Sequence, residues 1–316
     1  MVIGGGSGFI GTALTRALRE RGDRVTIISR FPGEARITWD EVAAGDVPAC
    51  DAVVNLAGKH ILDLRRRWTQ SYRSEVIASR VETTQSLVRA LNTMPAPPAV
   101  FVSTAGKCFY GTGEIGQVTE YPELTEDSEP MGVDFPAELV SLWEQAAEGI
   151  DTARIRHVQV RIGVVLGKVD RESRLGKFWR IGRSRGFLPI IRLPFCLGLG
   201  ATIGHGNQPF PWIHIDDMVG ILLHVIDNPK LSGRFNAVAP GISTNREFTE
   251  VFAEHLKRPI VWSIPSWLIE RVVGAERASI LLEGQNVKPK RTLESGYRFR
   301  YPDIDLALDD LVQISF

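Results

Sequence analysis

The sequence predicts an α/β fold in which a doubly wound parallel sheet is joined to a smaller C-terminal α+β lobe. A glycine-rich turn lies between a short apolar strand and an amphipathic helix at the start of the chain. Apolar strand-like runs then alternate with long helical stretches, which indicates βαβ crossovers around a sheet buried on both faces. After about Gly167 the alternation gives way to a long irregular segment and shorter elements, as expected for an added substrate lobe.

The first 30 residues predict a dinucleotide-binding unit of the Rossmann type. Gly5, Gly8 and Gly11 have the spacing G-x-x-G-x-x-G. An early glycine permits the tight turn, the second lets the backbone approach a pyrophosphate, and the third lets the helix pack on the sheet. The helix N-terminus presents amide donors to the phosphates. We therefore expect the pyrophosphate to bind at Gly5, Gly8, Phe9, Ile10 and Gly11.

The end of the second strand, residues 25–29, predicts which nicotinamide cofactor binds. This strand ends on Ser29 and Arg30, where a protein that binds NAD would carry a carboxylate. A hydroxyl beside a guanidinium can instead bind a 2′-phosphate through charge-assisted hydrogen bonds. The sequence therefore predicts NADP(H) as the cofactor. The alternative is that Arg30 is only a solvated arginine at a strand end.

Composition limits the class of protein. The 316 residues are 44% hydrophobic and 23% charged, which is typical of a globular protein with one large or two interlocked domains. Lysine and arginine balance aspartate and glutamate at 37 each, which argues against a nucleic-acid-binding surface. The three cysteines are far apart and fit no metal-ligand spacing, so the sequence predicts no metal site.

The chain shows no membrane-spanning run and no signal-peptide pattern at its N-terminus. We therefore expect an intracellular protein without a transmembrane segment. Both the cytoplasm and an organelle stay open, because a targeting segment could have preceded the short first strand. The sequence does not indicate an oligomeric state.

The remaining elements follow in chain order. Strands are predicted at residues 52–56, 100–103 and 158–165, and helices at 68–91 and 135–149. In the C-terminal lobe we expect a helix over 213–226, a strand over 234–239 and a helix over 245–256 that Thr244 caps. These assignments predict a cofactor domain over 1–167, with strands contributed from later segments, and a substrate lobe over 168–316.

Several motifs together resemble a known superfamily. The glycine turn, Asn55-Leu56-Ala57-Gly58 and Pro211-Trp212-Ile213-His214-Ile215-Asp216-Asp217 resemble the extended short-chain dehydrogenases/reductases. Segments 236–240, 244–248, 282–293 and 296–302 narrow the resemblance to the atypical, NADP-dependent epimerase-like family that has its own C-terminal domain. The resemblance spans nearly the whole chain. It implies an oxidoreductase or epimerase-like enzyme that acts on a small molecule.

The resemblance also implies further cofactor-binding positions. Leu56, Ala57 and Gly58 would line the adenosine and ribose side. Glu75 and Arg80 would form a second wall, where a carboxylate and a guanidinium can bind sugar hydroxyls or phosphate, although a surface pair on a helix is the alternative. Val165 would be an apolar contact beside the nicotinamide.

The catalytic signature of the superfamily is absent from the sequence. Its reductases use a tyrosine as general acid/base and a lysine four residues later that lowers the tyrosine pKa. None of the five tyrosines is followed by a lysine at that spacing, and the helix expected to carry the pair, which begins around 134–140, offers phenylalanine and valine instead. The remaining acid/base candidates are Thr104, beside Ser103, Tyr110 and His214. The alternatives are structural roles. Thr104 would end a strand, Tyr110 would pack as an aromatic side chain, and His214 would hold the start of a helix.

A basic segment from Lys168 to Arg192 is a second departure from the family pattern. It fits a lid over an anionic substrate, a basic amphipathic helix on an acidic membrane or partner, or a solvated insertion. Two functions stay open for the chain. One is an NADP-dependent oxidoreductase or epimerase-like enzyme with a nonstandard acid/base, and the other is an NADP(H)-binding regulatory or scaffold protein without turnover.

Overall fold

A computed structural model describes residues 1–59, 61, 68–111, 121–130, 134–168 and 186–312. The strands in these ranges are β1 Val2–Gly4, β2 Thr26–Ser29, β3 Arg36–Thr38, β4 Ala52–Asn55, β5 Val100–Gly106, β6 Glu123–Leu124, β7 Arg156–Ile162, β8 Val164–Leu166, β9 Gly200–Ile203, β10 Pro209–Phe210, β11 Trp212–His214, β12 Gly233–Ala237, β13 Ser243–Thr244, β14 Ile260–Ile264 and β15 Asn286–Val287. The α-helices are α1 Phe9–Glu20, α2 Trp39–Ala44, α3 Gln70–Thr93, α4 Phe135–Glu148, α5 Leu188–Cys196, α6 Ile215–Asp227, α7 Asn245–Leu256, α8 Ser266–Val273, α9 Ala275–Leu282, α10 Lys290–Glu294 and α11 Ile304–Val312. Most of the predicted basic segment, residues 169–185, lies outside the described ranges.

The main sheet of the described chain has seven strands in the order β12-β7-β5-β4-β1-β2-β3. The five pairings from β7 through to β3 are all parallel. Strand β1 pairs with β2 on one side and with β4 on the other, so the strand order reverses direction at β1. Ligands of doubly wound sheets bind at the carboxyl ends of the strands beside such a reversal. The predicted fold class is confirmed.

Contacts along the chain define two compact units. The first comprises residues 1–109, 135–162 and 219–235, and the second comprises 110–134, 163–218 and 236–316. The units interleave in sequence, because the chain leaves the sheet after residue 109 and again after residue 162. The predicted division after residue 167 stays a prediction about domains.

The core of the first unit lies between the sheet and the helices α3 and α4. Val53 and Phe101 on the central strands are fully buried against Leu87 and Leu91 of α3. These side chains come from apolar runs that have no polar alternation, as expected for a parallel sheet covered on both faces.

The core of the second unit is aromatic. Trp212, Phe248 and Phe252 are buried in one cluster with Leu308 of α11. Helix α7 begins at Asn245, where the Thr244 hydroxyl accepts a hydrogen bond from the Glu247 N–H and the Glu247 carboxylate accepts one from the Thr244 N–H. The predicted helix over 245–256 and its threonine cap are confirmed.

Two predicted elements are wrong in their bounds. Residues 158–165 do not form one strand, because β7 ends at Ile162 and β8 pairs with β11 instead. A Cβ on Gly163 would lie 2.8 Å from the Pro211 carbonyl oxygen, so glycine permits the close backbone approach at this break. The predicted helix over 213–226 begins only at Ile215, because residues 212–214 form β11.

Candidate functional site

The glycine turn between β1 and α1 is built so that side chains would not fit. Gly5 has φ +73°, in the left-handed region, and a Cβ there would lie 2.8 Å from the Leu56 carbonyl oxygen. A Cβ on Gly11 would lie 2.3 Å from the Gly5 carbonyl oxygen. The Gly8 N–H closes the turn by donating to Gly5 O over 2.9 Å. Helix α1 can therefore pack against this turn only because residue 11 has no side chain.

The first turn of α1 presents amide donors that have no local acceptor. Gly8 is the N-cap residue, and within the described chain no side chain caps this helix end. Phe9 and Ile10 follow as the first helical residues, and the first turn contains no acidic side chain. Free N–H groups at the positive end of a helix dipole favour an anion. This helix end is chemically suited to a phosphate.

The tip of β2 combines an occupied hydroxyl with a free guanidinium. The Ser29 hydroxyl donates to the Phe31 carbonyl oxygen and accepts a weaker hydrogen bond from the Phe31 N–H, so it holds the turn after the strand. Arg30 is exposed, and among the described residues no carboxylate lies within ion-pair distance of it. The tip is thus positively charged.

Asn55 organises the end of β4. This fully buried residue donates from Nδ2 to Thr84 Oγ1 over 2.9 Å and accepts at Oδ1 from the Ala57 N–H over 3.2 Å. Its side chain fixes the turn that carries Leu56, Ala57 and Gly58. A Cβ on Gly4 would lie 2.7 Å from Asn55 Oδ1, so the end of β1 is also shaped around this amide.

Glu75 and Arg80 lie on α3 but do not pair with each other. The Glu75 carboxylate forms an ion pair with Lys59. The Arg80 guanidinium donates to the Val76 carbonyl oxygen and lies 5.1 Å from the centre of the Trp143 ring. Burial lowers the pKa of Arg80 to about 10, and no carboxylate pairs with it in the described part of the chain. A partly buried cation that contacts only neutral groups is electrostatically suited to an anion.

Arg80 also lies against the predicted adenosine wall. A Cβ on Gly58 would lie 3.0 Å from the central guanidinium carbon of Arg80. Only a residue without a side chain leaves this guanidinium room beside the β4 turn.

Thr104 and Ser103 at the end of β5 make different contacts. The Thr104 hydroxyl donates to the Asn55 carbonyl oxygen over 2.7 Å. The Ser103 hydroxyl lies 2.8 Å from His157 Nε2 on the neighbouring strand β7. Burial lowers the pKa of His157 to about 4, and the positive charge of Arg234 acts in the same direction. Thr104 therefore contacts the β4 turn, whereas Ser103 belongs to a buried contact within the sheet.

Helix α4 has no tyrosine or lysine where the superfamily signature would place them. The Phe135 ring packs edge-on against Trp68 with ring centres 5.1 Å apart, and Val140 is buried. Further along the helix, Glu144 pairs with Arg161 of β7 through two hydrogen bonds of 2.8 and 2.9 Å. Both members of this ion pair are almost completely buried.

Tyr110 belongs to the second unit, where it is completely buried. Its hydroxyl donates to Asn236 Oδ1 over 2.8 Å. Asn236 in turn donates from Nδ2 to the Lys288 carbonyl oxygen, and its own carbonyl oxygen accepts from the Thr292 hydroxyl. The backbone N–H of Asn236 donates to the buried carboxylate of Glu126. Every polar group of Asn236 is therefore used.

His214 joins the β11 strand to the start of α6 and to α11. Its Nδ1 accepts from the Asp216 N–H over 3.1 Å, so Nε2 carries the proton of the neutral ring. Nε2 lies 3.4 Å from Asp310 Oδ2, and Asp310 also pairs with Lys168. Burial lowers the His214 pKa against the opposing influence of the nearby carboxylates. These contacts fit the alternative in which His214 holds the loop and the helix start together.

Asp217 is a buried acceptor that the sequence did not single out for this role. One carboxylate oxygen accepts from the Tyr297 hydroxyl and the Arg300 N–H, and the other accepts from the Tyr301 N–H, over 2.8 to 3.0 Å. Burial and this carboxylate raise the pKa of Tyr297. Asp217 therefore anchors the C-terminal segment to the start of α6.

The structure collects most of the predicted cofactor residues in the first unit. The glycine turn, the β2 tip, the β4 turn and Thr104 all lie at carboxyl ends of parallel strands of one sheet. The predicted residues in the second unit are Tyr110, Val165 and His214. Val165 is a buried residue of β8 paired with Ile213 of β11.

Sequence reasoning missed Lys59, Glu144, Arg161, Asn236 and Glu126. A usable signal existed for Glu144, because it is the one charged residue among the apolar residues on the buried face of α4. The partners of Asn236 and Glu126 come from distant segments, which no local pattern indicates.

The described residues contain neither a metal-ligand cluster nor a membrane-spanning helix. No group of three histidine, cysteine, aspartate or glutamate side chains in these ranges is arranged to hold a metal ion. No helix among them is both long enough and apolar enough to cross a membrane.

The chain matches two family models. Residues 1–238 match the NAD dependent epimerase/dehydratase family, and residues 264–311 match a domain of unknown function, DUF1731. The epimerase family protein SDR39U1 of Homo sapiens is 44% identical over 312 residues, which cover 99% of each chain. The crystal structure of that human protein with NADPH has a TM-score of 0.88 and covers 99% of this chain and 98% of its own.

Two more distant relatives also match over nearly the whole length of this chain. The epimerase family protein YfhF of Bacillus subtilis is 30% identical and covers 98% of this chain and 96% of its own. The chloroplastic SDR39U1 homologue of Arabidopsis thaliana is 31% identical, covering 98% of this chain and 85% of its own. The glycine turn at a strand-order reversal and these full-length matches agree: the chain belongs to the NAD dependent epimerase/dehydratase family.

Proposed function

We propose that this chain is an NADP(H)-dependent oxidoreductase or epimerase-like enzyme that acts on a carbonyl or hydroxyl group of a small molecule. The glycine turn carries the proposal, because a Cβ on Gly11 would overlap the Gly5 carbonyl oxygen and the adjoining helix end has unused amide donors. The human relative, which is 44% identical to this chain, has been solved with NADPH.

The residues present fit this cofactor. The amides at Phe9 and Ile10 would bind the pyrophosphate, and Arg30 would bind the 2′-phosphate. Gly8, whose N–H is held by the Gly5 carbonyl oxygen, would let the backbone approach the pyrophosphate. Ser29 would act indirectly, because its hydroxyl already holds the turn that presents Arg30. Leu56, Ala57 and Gly58 would line the adenosine side, and Val165 would contact the nicotinamide.

Arg80 and Glu75 would contribute charge to the second wall. Arg80 has a partly buried positive charge without a carboxylate partner in the described chain, which supports binding of phosphate. Glu75 would act on sugar hydroxyls, and its ion pair with Lys59 would hold the carboxylate in place.

When bound, NADP(H) would supply or accept a hydride at the nicotinamide C4. The protein would then have to move a proton at the substrate oxygen, and Thr104, Tyr110 and His214 are the proposed candidates. Thr104 is supported by its hydrogen bond to Asn55, the residue that fixes the proposed adenosine wall. The Tyr110 hydroxyl would first have to leave Asn236. The Nε2 of His214 is buried without a hydrogen-bond partner among the described residues and lies 3.4 Å from Asp310.

Titration and turnover test the proposal separately. We expect NADPH to bind at least about tenfold more tightly than NADH, since only NADPH offers a phosphate to Arg30. Equal affinities for the two cofactors would overturn the NADP(H) assignment. Oxidation of bound NADPH, followed by its absorbance across carbonyl compounds and nucleotide sugars, tests hydride transfer.

A second function is favoured by one observation. Phe135 and Val140 occupy the helix where the superfamily carries its tyrosine and lysine, so the standard proton relay is missing. In this alternative the chain binds NADP(H) as a regulatory or scaffold protein without turnover. Tight NADPH binding with no oxidation by any member of that panel would favour it.

A further inference from the structure

The second unit exposes large apolar side chains on three elements. We name Leu197, Leu199, Val261, Trp262, Trp267 and Val272 the tryptophan surface. Trp262 is 55% exposed, Trp267 65% and Val272 74%. In the described part of the first unit, Phe31 is the one comparably exposed large apolar side chain. Concentrated exposure of this kind marks an interaction surface rather than ordinary scatter.

The tryptophan surface comes from three neighbouring elements, which are the connection between α5 and β9, strand β14 and helix α8. Leu197 and Leu199 follow α5 and lead directly into β9, which pairs in parallel with β14. A Cβ on Gly200 would touch both the Phe195 ring of α5 and the Pro259 carbonyl oxygen before β14. The apolar side chains therefore come from one continuous region of the unit.

Helix α8 divides its apolar residues between two faces. Ile269 and Val273, four residues apart, pack in a cluster with Ile203 of β9 and Ile264 of β14. Trp267 and Arg271, also four residues apart, are exposed. The exposed face of α8 therefore carries an aromatic ring and a cation. Helix α8 packs against its own unit through the opposite face.

Unpaired cations accompany the tryptophan surface. Segments 188–200 and 257–273 contain Arg192, Lys257, Arg258 and Arg271 but only one acidic residue, Glu270. None of the four cations forms an ion pair with a described residue. Within these two segments the cations outnumber the acidic residues four to one, whereas the chain as a whole has no net charge.

The charge decides between the candidate occupants. In a two-fold dimer the surface would meet its own copy, and the cations of both copies would face each other. An anionic lipid surface instead complements the cations, and tryptophan is the side chain that favours the boundary between headgroups and acyl chains. We propose that the tryptophan surface docks this protein onto the surface of an anionic lipid bilayer, without crossing it.

Vesicle sedimentation of the full chain tests this docking. We expect binding to phosphatidylcholine vesicles that contain phosphatidylserine, and weak or no binding to phosphatidylcholine alone. The double variant Lys257→Glu/Arg258→Glu should weaken binding at least about twentyfold, because each cation near such a surface contributes about fivefold. The double variant Trp262→Ser/Trp267→Ser should weaken it about tenfold or more through lost apolar burial.

Matched controls separate docking from general effects. Lys230→Glu reverses an exposed charge in the first unit, and Leu306→Ser removes a half-exposed leucine outside the tryptophan surface. Both should bind vesicles like the wild type, and all variants should keep its unfolding midpoint. Equal binding to neutral vesicles, no vesicle binding, or equal loss in the controls would overturn the proposal. A dimer in solution that the tryptophan variant dissociates would assign the surface to a second copy instead.

Discussion

The glycine turn of the first unit and the buried acceptors of the second unit organise the chain in opposite ways. The turn depends on side chains that are absent: Gly8 and Gly11 approach the Gly5 carbonyl oxygen from within seven residues of sequence, and Gly5 approaches the backbone at Leu56. Asp217 instead joins backbone and hydroxyl groups that lie 80 to 84 residues further along the chain. A local steric rule therefore shapes one region, and long-range hydrogen bonding holds the other together.

The first unit also contains a buried polar contact, the Glu144–Arg161 ion pair, and Arg161→Met measures how much stability this pair adds beside the steric fit of the glycine turn. The change leaves the buried Glu144 carboxylate with only the half-exposed Arg234 at 3.9 Å, so we expect the free energy of unfolding to fall by about 3 to 5 kcal/mol. Chemical denaturation measures it.

Arg234→Met is the matched control, because Arg234 lies 3.9 Å from the same carboxylate but its side chain is 45% exposed. We expect this change to cost less than about 1 kcal/mol. Similar small losses in both variants would mean that the buried pair contributes little.

The steric rule predicts that Gly11→Ala abolishes the turn's function. Its Cβ would lie 2.3 Å from the Gly5 carbonyl oxygen, so helix and turn must separate. We expect NADPH affinity to fall by about a hundredfold or more, equivalent to about 2.7 kcal/mol. Fluorescence titration with NADPH measures the loss.

Gly22→Ala separates steric overlap from backbone strain. Gly22 has φ +94° but open space around its Cβ position. The alanine should cost about 1 kcal/mol of stability and leave NADPH affinity unchanged. Normal NADPH affinity in Gly11→Ala would contradict the steric account.

Long-range hydrogen bonding predicts a stability loss from Asp217→Asn. The amide replaces one acceptor oxygen by a donor that faces a backbone N–H or the Tyr297 hydroxyl. We expect the free energy of unfolding to fall by about 2 to 3 kcal/mol. Asp216→Asn changes an exposed neighbour and should stay within about 0.5 kcal/mol of the wild type. Equal effects at both positions would remove the special role of Asp217.

The same contrast explains how much the sequence could predict. The glycine turn, the long helices α3 and α4, and the Thr244 cap follow rules that operate over a few residues, and the structure contains them where expected. The break at Gly163 was missed because its cause is the approach of Pro211 and Val238, which lie far along the chain.

The same distinction between local rules and distant contacts applies to the candidate site. The glycines and Arg30 could be named from their spacing after β1 and β2. The partners of Tyr110 and His214 could not, because Asn236 and Asp310 meet them only through folding of distant segments. A hydroxyl or imidazole in a sequence carries no sign of whether it is already engaged.

His157 of the first unit predicts a dependence of stability on pH. The His157 pKa is lowered from 6.5 to about 4, chiefly by burial. Below pH 6.5 the unfolded chain therefore takes up a proton that the folded chain excludes, and stability falls as the pH falls toward 4. We expect a loss of about 2 kcal/mol between pH 6.5 and pH 5 from this group.

His157→Gln isolates this contribution. The variant should lose the wild type's extra pH dependence between pH 6.5 and pH 5, while carboxylates that titrate at lower pH affect both proteins alike. Denaturation curves at several pH values measure the difference. Identical pH profiles for the two proteins would show that His157 has the same pKa in the folded and unfolded chains.

The smallest effect is expected at Arg30, because a solvent-exposed guanidinium binds its partner against competition from water. In Arg30→Ala the Ser29 hydroxyl keeps the turn, so backbone geometry at the tip persists and only the charge is lost. We expect NADPH affinity to fall about tenfold and NADH affinity to stay the same, since NADH has no 2′-phosphate. Arg16→Ala, which removes an arginine that is 72% exposed on α1, should change neither affinity. If Arg30→Ala lowered both affinities equally, the glycine turn and the helix end would account for cofactor binding alone, and Arg30 would be a solvated arginine.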